Sequence, residues 1–133
     1  MYYIASPMTN PVMKEQDGEF YAKRNEKIAK KLEKAGIKLY FPQRDTNQSL
    51  PPKKILVKNI EALQNSLAII VILSDSRGIY LEAGYAKGLG KKVIGLKVEE
   101  TRNLGLISRN FFDYVVESID ELAVLLKNLE KGE

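Results

Sequence analysis

The residues best able to do chemistry lie in one stretch, Leu67–Leu96, which reads LAIIVILSDSRGIYLEAGYAKGLGKKVIGL. Ser74, Asp75, Ser76, Arg77 and Gly78 follow directly on seven apolar residues, and Glu82 stands four positions further on. The chain contains no Cys and no His. That excludes thiolate nucleophiles, Ser-His-Asp triads, thiol redox work and the usual zinc sites, and it makes carboxylates the leading candidates for catalysis. Glu82 reads as a first-turn residue of a helix starting near Ile79, where free backbone N–H groups and the helix dipole stabilise an ionised carboxylate. Acidic residues occupy first turns for that reason alone, so a stabilising role and a functional one both stay open.

The elements that must hold these residues can be read from apolar spacing. Leu67–Leu73 is too short to span a membrane and lacks period-two alternation, so it predicts a strand buried on both faces at the centre of a parallel sheet. The polar loop after it then lies at the carboxyl edge, where open α/β sheets bind ligands. Leu81, Tyr85 and Leu89 predict the sheet-facing stripe of the following helix, and Gly90 its end. Upstream, Tyr2–Ala5 predicts a first strand, leading into a loop of Ser6, Pro7, Met8, Thr9, Asn10 and Pro11. A helix is expected from about Glu19 to Ala35, stopped by Gly36, then a strand over Ile37–Phe41 and a second polar loop of Pro42, Gln43, Arg44 and Asp45.

Pro51 and Pro52 introduce a helix over about Lys53–Asn65, with Leu56, Ile60 and Leu63 as its buried stripe. Asn59 falls beside that stripe and is expected to point inward, either as a buried amide tying down a loop or as a functional group. Lys92–Val98 predicts the next strand, Leu104–Ile107 a short helix or turn, and Phe111–Val116 the last strand. Ser118 with Glu121 forms a capping box for a final helix striped by Ile119, Leu122, Ala123, Leu126 and Leu129.

Five alternations of strand and helix predict a single α/β domain over residues 1–133. Its doubly wound five-stranded parallel sheet, Rossmann- or flavodoxin-like, should have the order 2-1-3-4-5 with helices on both faces. The loops at Ser6, Asp45, Asp75 and Gly78 and the start of the Glu82 helix should meet in one crevice. No GxGxxG follows the first strand and no GK[ST] occurs, so the dinucleotide and P-loop readings lose their main support. The net charge is +4. The positive residues alternate with Glu as solvated helix faces, without a basic stripe interleaved with aromatics, so no nucleic-acid partner is expected. MYYIASP has neither a basic leader nor a long apolar run, which predicts no signal peptide, no membrane partner and a cytoplasmic protein.

The sequence resembles the nucleoside 2-deoxyribosyltransferases and their relatives, the nucleoside 5'-monophosphate N-glycosidases, over nearly its whole length. Three motifs carry the resemblance: Tyr3–Pro7 as Tyr-x-Ala-Ser-Pro, the Asn59-Ile60 pair, and Gly78–Ala86 as Gly-x-x-x-Glu-x-Gly-Tyr-Ala running into Leu89-Gly90-Lys91. The last is the most specific. The resemblance implies that Glu82 is the nucleophile, Tyr3 its hydrogen-bonding partner, and Asn59 a group that positions Glu82 or the sugar. It implies that Asn103 serves the active site of a neighbouring subunit, hence a homodimer or higher homo-oligomer with shared sites. Ser6, Pro7, Met8, Asp45, Ser76, Arg77 and Gly78 are the expected substrate contacts, with no metal and no cofactor.

A departing base needs a proton or a hydrogen bond, and the family's Asp-Ser-Gly-Thr stretch places an acid six residues before the Glu. Here that position is Ser76, with Asp75 one residue earlier. The donor is then Asp75 after a loop shift, or Asp45, or base protonation is weak. Ser76 also resembles the monophosphate N-glycosidases, where a serine contacts the 5'-phosphate and Arg77 would add charge; Pro7 and Asn103 resemble the transferases. The resemblance therefore implies transfer of a deoxyribosyl group between nucleobases, with monophosphate hydrolysis as the alternative. A nucleotide-binding module without catalysis is the third reading.

Overall fold

The computed structural model describes residues 1–7 and 15–132, so the expectations for Met8, Thr9, Asn10 and Pro11 lie outside the described residues. The elements in chain order are β1 (Tyr2–Ala5), α1 (Glu15–Lys34), β2 (Leu39–Tyr40), α2 (Pro42–Asp45), α3 (Pro52–Gln64) and β3 (Ala68–Leu73). There follow α4 (Arg77–Gly88), β4 (Lys92–Lys97), α5 (Gly105–Phe111), β5 (Tyr114–Val116) and α6 (Ile119–Glu130). The five strands form one parallel sheet in the order β2-β1-β3-β4-β5, the topology expected from the alternation.

β3 is buried along its whole length between β1 and β4, as its unbroken apolar run requires. Because successive strand residues point to opposite faces, each strand supplies two cores. Tyr2, Ile4, Ile70, Ile72, Ile94 and Leu96 pack against Ile28 and Leu32 of α1 and Leu122 and Leu126 of α6. Tyr3, Ala5, Ile69, Val71, Leu73 and Val93 pack against Ala62 and Leu63 of α3 and Ile79, Ala83 and Ala86 of α4. The parity of β1 thus sends the Tyr3 side chain towards α4.

Helix punctuation follows the sequence closely. Gly36 and Gly90 lie just past the ends of α1 and α4 with φ of 89° and 78°, a left-handed conformation that favours glycine. Ser118 Oγ accepts from Glu121 N at 3.2 Å, and the Glu121 carboxylate accepts from Glu117 N at 2.9 Å, closing the start of α6. Phe111 ends α5 and β5 begins only at Tyr114, because Asp113 turns the chain by exchanging 2.8 Å hydrogen bonds with the backbone of Val93.

Two buried stripes differ from expectation. In α4 the sheet-facing residues are Ile79, Ala83 and Ala86, while Leu81 is 75 % exposed and Tyr85 and Leu89 also face outward. Apolar residues occur on both sides of this helix, and the side bearing two alanines allows the closer approach to the sheet. In α3 the buried residues are Ala62 and Leu63, and Leu56 is exposed.

Candidate active site

Glu82 sits three residues after Ile79 and four before Ala86, on the stripe that α4 turns towards the sheet. It is not a first-turn residue. The helix begins at Arg77 behind Ser76, no acidic residue occupies its first turn, and Glu82 is held by packing a full turn further in. There it meets Tyr3, fully buried in β1, whose hydroxyl donates a hydrogen bond to Glu82 Oε2. The two residues are 79 positions apart in the chain. Burial pushes the Glu82 carboxyl up to about 7, against the opposing effect of the Tyr3 hydrogen bond. The Tyr3 phenol is pushed well above its usual range by burial, and further by the Glu82 charge. The expectation of a carboxylate stabilised by the helix start is therefore replaced by one strained by desolvation and steadied by a phenol.

The pair opens into a cleft of about 200 Å³ lined by Tyr3, Ile4, Ser6, Pro42, Gln43, Gln48, Ile55, Asn59 and Glu82. It lies at the carboxyl end of β1, beside the point where strand order reverses between β1 and β3, the usual ligand position in such sheets. Asn59 points inward, its Oδ1 accepting from Thr46 Oγ1 at 2.6 Å. Pro7 is buried next to the cleft, its carbonyl accepting from Asn25 Nδ2 at 2.9 Å.

Other expected residues fall elsewhere. The Asp45 carboxylate accepts from Phe41 N at 2.8 Å and from Arg44 Nε and Nη2 at 2.8 and 3.0 Å. Burial raises its pKa, but the Arg44 guanidinium and the Phe41 N–H outweigh that and hold it below the usual carboxylate range. Such an acid is poorly suited to giving up a proton near neutrality. Asp75 pairs with Arg102 Nε at 3.2 Å and shares with Asn103, Tyr80 and Ser108 a separate cavity over the end of β3. Ser76 is buried at the N-cap of α4, where its side chain makes no capping hydrogen bond. Arg77 and Gly78 are exposed in the first turn. Of the expected residues, the Glu82 cleft gathers Tyr3, Ser6 and Asn59, and it adds Gln43 and Gln48. Their presence in a proline-flanked polar segment was the only sequence sign of that role. Among the described residues, no group of three or more His, Cys, Asp or Glu side chains is arranged to hold a metal ion.

The fold and the cleft define a doubly wound α/β protein with a carboxylate–phenol pair at the switch point of its sheet. The family model for nucleoside 2-deoxyribosyltransferase matches residues 3–123, and the chain belongs to that family. Among solved structures, a 2-deoxyribosyltransferase from Bacillus psychrosaccharolyticus superposes with a TM-score of 0.72 at 19% identity, covering 92% of this chain and 89% of that one. The CMP N-glycosidase BcmB of Clostridium botulinum gives 0.62 at 20% identity over 96% and 98% of the two chains. A 2-deoxyribosyltransferase from Leishmania mexicana gives 0.53 at 29% identity over 74% and 64%. A comparison with curated proteins found no match. The fold is thus shared with proteins described as 2-deoxyribosyltransferases and with one described as a CMP N-glycosidase. Among the described residues, no helix is long and apolar enough to cross a membrane.

Proposed function

We propose that the chain cleaves the N-glycosidic bond of 2'-deoxynucleosides and passes the deoxyribosyl group to a second nucleobase, with Glu82 as nucleophile. The observation that carries this reading is the Tyr3–Glu82 hydrogen bond between two residues that line one cleft. A carboxylate oxygen of Glu82 attacks C1', and the electrons of the C1'–N bond leave on the base nitrogen. In the second half, a ring nitrogen of the incoming base attacks C1' and Glu82 departs as a carboxylate. The proton lost by the incoming base balances the one taken up by the departing base. Two inversions give retention. Positive charge developing at C1' favours the ionised carboxylate, and the Tyr3 hydroxyl holds it in line.

Neither Asp75 nor Asp45 lines the cleft, which supports weak protonation of the leaving base; Gln48 spends both its N–H groups on Pro42 O and Thr46 O, and Gln43 donates to Ala22 O. Hydrolysis of deoxynucleoside 5'-monophosphates is the second reading. It is favoured by the buried Ser76 side chain at the start of α4, uncommitted to capping, and by Arg77 beside it. A binding module would have no use for a desolvated carboxylate aimed into a sugar-sized cleft, so that third reading draws the least support.

The working form we propose is a homodimer or higher homo-oligomer. Leu81, Leu106 and Ile107 on the outer side of α4 and α5 are 75, 72 and 88 % exposed, and such a surface fits burial against a second copy. Asn103 is exposed away from the Glu82 cleft of its own subunit, consistent with service to a neighbour. The deciding assay follows deoxyinosine plus adenine by chromatography, beside deoxynucleoside 5'-monophosphates without an acceptor. Deoxyadenosine from the first pair supports transfer. Free base and deoxyribose 5-phosphate from the second alone would replace transfer with hydrolysis, and no product from either would remove the enzymatic reading.

A further inference from the structure

Thr46 is 4% exposed, one of few buried polar residues in the described chain, and it belongs to none of the motifs above. Its hydroxyl touches two groups. Thr46 Oγ1 donates to Asn59 Oδ1 at 2.6 Å, and Tyr40 OH lies 2.5 Å from the same oxygen. A hydroxyl carries one proton, so with that proton on Asn59 the Tyr40 hydroxyl must donate to Thr46. The result is a directed chain, Tyr40 to Thr46 to Asn59, ending on the carbonyl oxygen of the Asn59 amide.

Two consequences meet in the Glu82 cleft. With Oδ1 engaged, Asn59 has its NH₂ group left to offer, a donor in the cleft that Glu82 also lines. The opposite polarity would leave a carbonyl oxygen as the free group of Asn59, a second acceptor in a cleft that already holds the Glu82 carboxylate. The second consequence passes through the ring of Tyr40, which stacks on Tyr3 with centroids 5.9 Å apart and planes 13° from parallel. Tyr3 in turn donates to Glu82. One buried hydroxyl therefore anchors both the amide and the aromatic plate behind the reacting pair.

We propose that Thr46 is a positioning residue of this site: its hydroxyl sets the Asn59 amide with the NH₂ group towards substrate and pins Tyr40 as the plate that holds Tyr3 against Glu82. The kinetic consequence rests on the catalytic reading of Glu82, whereas the orientation of Asn59 does not. Chains of hydrogen bonds polarise one another, so the Asn59 N–H groups should also be stronger donors than those of an isolated amide.

The test uses the whole chain with Thr46→Val, which keeps the shape and removes the hydroxyl, and Thr46→Ser, which keeps the hydroxyl and removes the methyl group. The first readout needs no substrate: the Asn59 side-chain carbonyl carbon in an NMR spectrum, identified by its loss in Asn59→Asp. A carbonyl that accepts a strong hydrogen bond resonates downfield, so the signal should move upfield in Thr46→Val and return in Thr46→Ser. The second readout is base exchange, in which Thr46→Val should lose about tenfold in kcat/KM, the scale of one well-placed hydrogen bond, and Thr46→Ser should recover to within about threefold. If Thr46→Val does not fold, Tyr40→Phe breaks the same chain one bond earlier and should shift the carbon signal in the same direction. An unmoved Asn59 signal in the hydroxyl-free variant, or equal kinetic losses in the Ser and Val variants, would overturn the proposal. A wild-type chain that turns over no nucleoside would instead remove the catalytic reading, and the carbon shift would still decide what Thr46 does.

Discussion

Replacing Glu82 with Gln separates the chemistry of the site from its cost to the fold. The Gln amide keeps an oxygen able to accept from Tyr3 and removes the charge. Burial raises the Glu82 carboxyl from its ordinary 4.5 to about 7. A carboxyl whose folded pKa lies above its unfolded value stabilises the fold most below the lower of the two, and that contribution is lost as pH rises through the higher one. At about 1.36 kcal/mol per tenfold change in acidity, ionising Glu82 in place costs roughly 3 kcal/mol near pH 8 and less than about 1 kcal/mol near pH 5. The gap between Glu82→Gln and wild type should therefore widen in favour of the variant by roughly 2.5 kcal/mol between those two conditions. The sequence makes this window unusually clean, because it contains no His and no Cys. Urea unfolding at the two pH values measures the gap, with unchanged slopes confirming that only stability moved. Turnover should be abolished in the variant at either pH. A gap that does not change with pH would refute the desolvated-carboxylate account, and a turning-over variant would refute the nucleophile.

Tyr3→Phe removes a hydrogen bond that favours the ionised carboxylate, so the acid limb of kcat/KM, with its midpoint near 7 in the wild type, should move to higher pH; an unmoved limb in the pH–rate profile would take Tyr3 out of the mechanism. Ile107→Glu or Leu81→Arg should dissociate the assembly in light-scattering chromatography and lower base exchange with it, whereas a fully active monomer would contradict the role proposed for Asn103. Ser118→Ala should destabilise the chain by about 1 kcal/mol in urea while leaving exchange rates unchanged, since it loosens only the start of α6.

Much of this architecture is written in local patterns. The apolar run before Ser74 specifies a central strand because no other element buries every consecutive side chain, and five alternations leave few topologies once crossovers are right-handed. Gly36, Gly90 and the Ser118–Glu121 box mark helix boundaries through backbone conformation and capping, which depend on neighbours in sequence. The Gly-x-x-x-Glu-x-Gly-Tyr-Ala run singles out Glu82 as the residue to watch, and the absence of His and Cys makes carboxylates the leading candidates for catalysis.

The phase of α4 was not legible, because the helix carries apolar residues on two sides. Only contact with the sheet selects the side of Ile79, Ala83 and Ala86 and leaves Leu81 outside. That choice moves Glu82 from a solvated first turn into a desolvated cleft and reverses the direction of its pKa shift. The fold likewise decides that Asp75 and Asn103 line a different cavity and that Asp45 is bound to Arg44. The Tyr40–Thr46–Asn59 chain is tertiary too, since its direction depends on which buried groups share a single proton. Sequence determined the elements and the reactive residue types, because these follow from spacing along the chain; tertiary structure alone decided protonation, orientation and partnership, because these depend on which distant side chains exclude water together.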